Sequence, residues 1–388
     1  MRRLLWLSLS VVLGLLFLVA LVYLANPLSA RTWILGKALR SGVSDIRGVA
    51  AHALVARDPE GAAEVFVEAL QHSGSGSHYE ESFWRFAILP PEMAEKLEGM
   101  LEDPDPLRAE AAAHGLAVLA YQNKGHDFSA SLPALLGALQ RKNQALCTAA
   151  ASAISLIGPR NPDATKAILR AFREGCAYVL YSLPDMELSD EDMSDLLGFL
   201  VDEEVQLREQ AALCLGSFTA HKERILPGLI DALGDPKDSV VECALSSLER
   251  LEQRDPATIR EVIALLGRKD RARPAAIRFL AGSTSASPEA LAAVRSGLWE
   301  RSQAREFLEA LGNASYGSIS ADLMPDLLHL CSPGMDLDQR RDAVEVLGSM
   351  YAAAKPAVPA IEEILAKDDD EDFEWAARIA IQSIKTAE

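Results

Sequence analysis

Two hydrophobic patterns follow one another along this chain. After a short charged N-terminus at residues 1–3, residues 4–25 form an apolar run without a single charged side chain. From about residue 30 to residue 388, apolar residues instead recur at intervals of three and four, in short stretches separated by polar turns. Such intervals place side chains on one face of an α-helix. The pattern predicts one N-terminal apolar helix followed by a long all-α region without strands.

The apolar run is long enough to cross a membrane. Its 22 residues correspond to about 33 Å of helix, which matches the hydrocarbon core of a bilayer. A cleaved signal peptide is the alternative, but its apolar region covers only about 7–15 residues and ends at a small-x-small site. Tyr23 lies two positions before Ala25, and a leucine lies two positions before Ala30, so neither alanine offers such a site. We therefore expect an uncleaved transmembrane or signal-anchor helix.

The region after the apolar run repeats itself. An alanine-rich segment recurs in which apolar residues follow the opening residue at three, four and seven positions. Clear copies open at Arg47, Arg208, Val241, Arg273 and Arg340, looser copies at Arg108, Cys147, Ala304 and Glu374, and degenerate copies near Ser82 and Cys176. From Arg208 onward, successive copies open 31 to 36 residues apart. A fixed period of this length is typical of repeat proteins.

Each repeat contains a second apolar helix before the alanine-rich one. Turns rich in Asp and Pro separate the two, for example at residues 103–106, 235–236 and 368–370. Asp accepts hydrogen bonds from the first N–H groups of a helix, and Pro fits the first helical turn. Neither helix of such a pair buries its apolar face alone, so neighbouring pairs must stack. We predict about eleven helical hairpins that form one right-handed α-solenoid over residues 30–388.

The repeats resemble the HEAT-repeat family in its short bacterial form. The family pattern is Asp-Pro, two or three residues, then Val-Arg-x-x-Ala-Ala-x-Ala-Leu-Gly, and residues 103–112, 207–216 and 340–348 match it closely. Val241, Cys147 and Glu374 depart from the pattern at the arginine position. The resemblance implies an armadillo-type solenoid whose second helices line a concave face that binds protein partners.

The charges around the apolar run are nearly balanced. Arg2 and Arg3 lie directly before it, whereas Arg31, Lys37 and Arg40 follow it. Because positive residues next to a spanning helix favour the cytoplasmic side, the adjacent arginine pair favours an N-terminus inside the cell. We expect a single-pass protein of a bacterial inner membrane with a periplasmic solenoid. A cytoplasmic solenoid is the alternative that the later positive residues favour.

The charge of the chain narrows the class of partner. It carries 38 Lys and Arg against 56 Asp and Glu, a net charge of −18, which argues against nucleic-acid binding because phosphates require a basic surface. We expect a protein partner with a basic or polar surface. Acidic residues are densest near the C-terminus, so the candidate partner-binding residues are Asp368, Asp369, Asp370 and Asp372. A solvated polar cap on the last repeat is the alternative interpretation of this cluster.

The recurrent arginines allow two interpretations. Arg47, Arg108, Arg208, Arg273 and Arg340 open their repeats, and such a ladder of guanidinium groups can bind a carboxylate ligand. The simpler prediction is that each arginine pairs with an acid in the turn of its own or the next repeat. We favour the structural pairing.

Nothing in the sequence indicates catalysis. Cys147, Cys214 and Cys243 fall in alanine-rich helices, where cysteine packs as a small apolar residue, and the chain has no CxxC motif that would mark a zinc site or a disulfide framework. His72 and His78 flank a Gly/Ser stretch that is typical of a linker, not of a metal site. We expect no metal, no cofactor and no enzyme activity. The sequence thus favours a membrane-anchored protein-interaction scaffold, with a bilin-lyase-like enzyme using the concave groove as the alternative.

Overall fold

The computed structural model describes residues 59–71, 89–300, 302–315 and 317–387. These residues form eighteen α-helices joined by turns and 3₁₀ helices, and no strand occurs among them. The chain divides between Asp195 and Leu196 into two compact units. The expectation of an all-α protein is therefore confirmed for the residues described.

Some predicted features lie outside those residues. They are the apolar helix at 4–25, the repeat that opens at Arg47, the degenerate copy near Ser82, and the histidines His72 and His78. In the part of the chain that the structure covers, no helix has both the length and the apolar character needed to span a bilayer. The transmembrane helix stays a prediction.

Seven helices belong to the first unit or begin in it. They are α1 (Pro59–Gln71), α2 (Met93–Met100), α3 (Pro106–Gln122), α4 (Leu132–Leu139), α5 (Gln144–Ile157), α6 (Pro162–Arg173) and α7 (Asp190–Gly198). A 3₁₀ helix at Ala177–Asp185 lies between α6 and α7. The helices α2 and α3 pack as a hairpin, as do α4 and α5, and α3 stacks on α5.

Eleven helices follow in the second unit. They are α8 (Val205–Leu215), α9 (Lys222–Ala232), α10 (Asp238–Arg250), α11 (Pro256–Ala264), α12 (Ala272–Ala281), α13 (Pro288–Trp299), α14 (Ala304–Gly312), α15 (Met324–Leu330), α16 (Leu337–Ser349), α17 (Val358–Leu365) and α18 (Glu371–Thr386). Each even-numbered helix from α10 to α18 packs against the helix before it and against the even-numbered helix of the preceding repeat. The alanine-rich segments are thus the second helices of stacked hairpins, as the sequence predicts.

The described chain contains nine hairpins between residues 93 and 386, in which the 3₁₀ helix Ala177–Asp185 partners α6. In the hairpin of α7 and α8, the turn Phe199–Val201 that follows α7 packs against α8. The predicted number of about eleven includes repeats outside the described residues, so the total and the handedness of the solenoid stay predictions.

Glycines at the ends of second helices allow these helices to touch. Gly216 follows α8, and a Cβ atom built there would lie 2.7 Å from Cα of Ser247 in α10. Gly348 lies near the end of α16, and its Cβ would lie 3.0 Å from Cα of Ala380 in α18. A methyl group does not fit at such distances. Gly216 is therefore required by the contact between α8 and α10, and a side chain at Gly348 would force a smaller shift, whereas Gly312 at the end of α14 has no such close neighbour.

The second helix predicted near Cys176 is a 3₁₀ helix instead of an α-helix. Pro184 lies inside it, and the residue before a proline is disfavoured in the α conformation. With three residues per turn, Tyr178, Tyr181 and Pro184 fall in one exposed row, while Leu180 and Leu183 are buried. The degenerate repeat thus buries its apolar side chains with a period of three.

Candidate protein-interaction surface

Two aspartates in each Asp-rich turn have different structural roles. In the turn before α3, Asp103 Oδ1 accepts the N–H of Asp105 at 2.8 Å, and Asp105 caps α3 by accepting the N–H of Leu107 at 3.0 Å. In the turn before α18, Asp368 and Asp370 repeat this arrangement. The first acid folds the turn and the second caps the helix.

The first acid of a turn also pairs with a repeat arginine. Arg108 Nε donates to Asp103 at 2.9 Å within its own repeat. Arg208 Nε donates to Asp235 at 2.7 Å in the turn of the next repeat, and its Nη1 donates to the Asp202 carbonyl at 2.8 Å. Arg340 pairs in the same way with Asp368 of the next repeat.

Arg273 differs in its partner. It pairs with Glu306, which lies in the next second helix instead of in a turn. The predicted pairing with a turn acid is confirmed for Arg108, Arg208 and Arg340, whereas Arg273 pairs with an acid inside a helix.

These pairings divide the four candidate aspartates into two groups. Asp368 is bound to Arg340, and the two side chains are only 6% and 8% exposed. Asp370 accepts the N–H groups of Asp372 and Phe373, both at 3.0 Å. Asp368 and Asp370 therefore build the turn, whereas the side chains of Asp369 and Asp372 are exposed and form no ion pair with any described residue.

The face of α18 that points away from the core is partly apolar. Its buried residues are Phe373, Ala376, Ala377, Ala380 and Ile384. Asp372, Trp375 and Ile379 follow one another at intervals of three and four on the opposite face. Trp375 is 65% exposed and Ile379 is 44% exposed. We call Asp369, Asp372, Trp375 and Ile379 the α18 stripe.

Sequence reasoning identified the acids of this stripe but missed its apolar members. The signal was present: Trp375 and Ile379 fall out of phase with Phe373, Ala376 and Ala380, which have the repeat's core spacing. Comparing the phase of every large apolar residue with that of the core reveals such outliers.

A second acidic surface lies between α14 and α16. Arg305, Glu309, Asp342 and Glu345 line a groove of about 280 Å³ there. Burial raises the pKa of Asp342, and Arg305 opposes this rise while Glu345 supports it. Because Arg305 also lies 3.5 Å from Asp338, this groove contains its own cation. Beside the α18 stripe, the cation Arg378 is paired with Glu374.

The surroundings of Cys214, Cys243 and Cys331 do not favour the thiolate form that a nucleophilic cysteine needs. Burial raises the pKa of Cys214 to about 12, of Cys243 to about 11 and of Cys331 to about 12. A nucleophilic cysteine needs the opposite shift, because the thiolate is the reactive form. No cluster of three His, Cys, Asp or Glu able to hold a metal ion occurs among the described residues.

Comparison with known proteins rests on structure alone. No protein-family model and no curated protein sequence matches the chain. An importin beta structure is 14% identical with a TM-score of 0.56, and the match covers 91% of this chain and 55% of that one. Kap95p in complex with RanGDP is 14% identical with a TM-score of 0.54, covering 92% and 57%. A Kap121p mutant is 13% identical with a TM-score of 0.53, covering 92% and 46%.

The fold is HEAT-like. All three neighbours are helical-repeat proteins of the HEAT or armadillo type, and the present chain spans about half of their length. At identities of 13–14% the likeness shows the fold and not the activity.

Proposed function

We propose that this protein is an interaction scaffold that binds a basic protein segment through the α18 stripe. The exposure of Trp375, at 65%, carries the proposal. Tryptophan is enriched among the residues that dominate binding energy at interfaces, because its large ring excludes water from a wide contact area. Ile379 extends the apolar contact by one helical turn.

The charge around Trp375 determines the kind of partner. Asp372, one helical turn before it, is exposed and forms no ion pair with any residue that the structure describes, whereas Arg378, one turn after it, is paired with Glu374. The whole chain has a net charge of −18, so a second copy of this protein is repelled, whereas Lys and Arg side chains are attracted. The best-fitting partner is a segment that combines an apolar anchor with basic residues on one side of it.

The structural neighbours support protein binding as the general activity. Kap95p binds RanGDP and induces its switch loops to adopt the GTP-bound conformation, with implications for nuclear import complex assembly. That partner belongs to Kap95p and is not carried over to this chain. What supports the proposal is that the same kind of stacked helical hairpin binds a protein there.

We also propose that the scaffold is held at a membrane through residues 4–25 and faces the periplasm of a bacterial cell. The length of the apolar run and the position of Arg2 and Arg3 support this placement. Binding, not catalysis, is the proposed activity. The raised pKa values of Cys214, Cys243 and Cys331 support this choice over a lyase that uses a cysteine nucleophile.

Site-specific photo-crosslinking tests the proposal. Benzoylphenylalanine replaces Trp375 in the full chain, and the protein is irradiated in the cells from which the sequence comes. The matched control carries the same group at Val201, which is 84% exposed in the same unit. We expect an adduct at position 375 that is absent at position 201, and we expect the linked peptide to carry a net positive charge. An adduct with an acidic peptide, or equal labelling at both positions, contradicts the proposal.

A further inference from the structure

Two buried cysteines from neighbouring repeats meet in the first unit. Cys147 lies in the first turn of α5, and Cys176 lies directly before the 3₁₀ helix Ala177–Asp185. Their Sγ atoms are 2.6 Å apart, and both residues are buried, with 0% and 4% of their surface exposed. All five cysteines of the chain lie among the described residues.

The backbone holds both cysteines in place. The N–H of Cys147 donates to the carbonyl of Asn143 at 2.8 Å, in the first turn of α5. The N–H of Cys176 donates to the carbonyl of Ala171 at 3.0 Å across the end of α6, where Gly175 has a φ of +101°. This six-to-one hydrogen bond over a left-handed glycine is the Schellman ending of a helix. The position of Cys176 is therefore determined by the way α6 ends.

We propose that Cys147 and Cys176 form a disulfide bond that links the second helix of one repeat to the irregular segment of the next. The two sulfur atoms are already closer than two thiols in van der Waals contact, and a small shift brings them to the bonded distance of about 2.05 Å. The two thiols lose two protons and two electrons to an external disulfide, which is reduced to two thiols. A thiol–disulfide oxidant of the compartment supplies that disulfide in the cell, and oxidised glutathione supplies it in the test.

We expect the bond to form before this region is fully packed. Burial, followed by the contact with Cys176, raises the pKa of Cys147 to about 12. Because thiol–disulfide exchange proceeds through a thiolate, exchange at the folded site is slow in both directions. A bond made during folding is thus protected from later reduction.

The bond restrains an irregular segment of the fold, and it persists where the compartment is oxidising. The segment Ala177–Asp185 lacks the hydrogen-bond pattern of an α-helix and carries the stacked rings of Tyr178 and Tyr181, whose centroids are 6.2 Å apart. A covalent link at its first residue restrains it. Such bonds persist in oxidising compartments, so the bond is compatible with the periplasmic placement proposed above. The proposal itself rests on the cysteine geometry alone.

Thiol counting tests the proposal. The full chain is purified in detergent, unfolded with reductant, and refolded with a mixture of reduced and oxidised glutathione; free thiols are then alkylated in denaturant and counted by mass spectrometry. We expect three alkylated cysteines instead of five, a linked peptide pair containing Cys147 and Cys176, and a Tm about 5 °C higher than that of protein refolded in reductant alone. Five alkylated cysteines in protein with native circular dichroism, or a different pairing, overturns the proposal.

Two variants separate the bond from a general effect of substitution. Cys176→Ser should leave four alkylated cysteines and the same Tm whether it is refolded with glutathione or in reductant alone. The matched change Cys214→Ser removes an equally buried thiol but should leave two alkylated cysteines and the linked peptide pair. If Cys176→Ser does not refold, the wild-type count and the Cys214→Ser count still decide the question.

Discussion

At the residue scale, Arg208 shows how a single guanidinium group connects two repeats. Its Nε and Nη2 bind the carboxylate of Asp235 in the next repeat, at 2.7 and 3.2 Å, while Nη1 binds the carbonyls of Asp202 and Glu203 in its own repeat. The side chains of Arg208 and Asp235 are 11% and 8% exposed. Removing one member of such a pair leaves the other charge buried without a partner.

Arg208→Ala should therefore be strongly destabilising. We expect the free energy of unfolding to fall by about 3 kcal/mol, as is typical for a broken buried pair. Arg160 forms a pair with Glu187 at a similar distance, but these side chains are 82% and 67% exposed. Arg160→Ala should cost no more than about 0.5 kcal/mol. Urea unfolding of both variants compares them directly, and equal losses would show that burial does not decide the strength of these pairs.

The same pair predicts a dependence of stability on pH. Burial alone raises the pKa of Asp235, but the Arg208 guanidinium and the N–H of Lys237 outweigh it and hold that pKa below its usual value. The folded state thus favours the carboxylate. The resulting stability is fully present above the unfolded pKa of about 3.9 and is lost as the pH falls through the lower folded pKa.

Asp235→Asn removes this titration. We expect the difference in free energy of unfolding between wild type and variant to stay constant from pH 7 to about pH 5, and to shrink below about pH 4. Urea unfolding of both proteins across this range measures it. A difference that is unchanged down to pH 3 would mean that the ion pair does not shift the pKa of Asp235.

At the element scale, the contact between successive second helices depends on glycine. A Cβ at Gly216 would lie 2.7 Å from Cα of Ser247, whereas no atom lies within 4 Å of a Cβ built at Gly137 in α4. Gly216→Ala should destabilise by about 1–3 kcal/mol because α8 and α10 must move apart. Gly137→Ala should stabilise by about 0.5–1 kcal/mol through a lower entropy of the unfolded chain. Thermal unfolding of the two variants should give shifts of opposite sign, and two shifts of the same sign would contradict this packing.

The structure was most predictable from the sequence where a local signal also recurs from repeat to repeat. The capping acids Asp105 and Asp370 were predictable, because a short acid before an apolar helix has few other roles. The 3₁₀ helix Ala177–Asp185 was not, because a single degenerate repeat gives no period to detect. The proximity of Cys147 and Cys176 was also hidden, since it depends on how α6 ends and not on spacing along the chain.

In the α18 stripe, too, local signals were predictable and contacts distant in sequence were not. An acidic cluster is visible in composition, so Asp369 and Asp372 were found with Asp368 and Asp370. Which of the four remain exposed depends on the pairing of Asp368 with Arg340, a contact 28 residues apart in sequence. Such a contact follows from the stacking of repeats and not from the local pattern.

At the scale of the whole molecule, charge is the dominant property. The net charge is −18, although residues 1–40 contain five Arg and Lys and no acid, so the chain beyond residue 40 is more acidic still. Such a surface attracts a basic partner over distances of about 10 Å at moderate ionic strength. The association rate should therefore fall several-fold between about 50 and about 300 mM salt, as measured by stopped-flow with the crosslinked partner. An association rate independent of salt would mean that the acidic surface plays no part in binding.

The most direct test of the scaffold is the affinity of that partner for matched variants of the full chain. Trp375→Ala should weaken binding about 30-fold, which corresponds to a loss of about 2 kcal/mol at an interface hot spot. Asp369→Asn with Asp372→Asn should weaken it several-fold at low salt. The control Glu102→Gln with Asp185→Asn, which also neutralises two exposed acids, should leave the affinity unchanged. If all three proteins bind as tightly as wild type, the α18 stripe is not the binding surface.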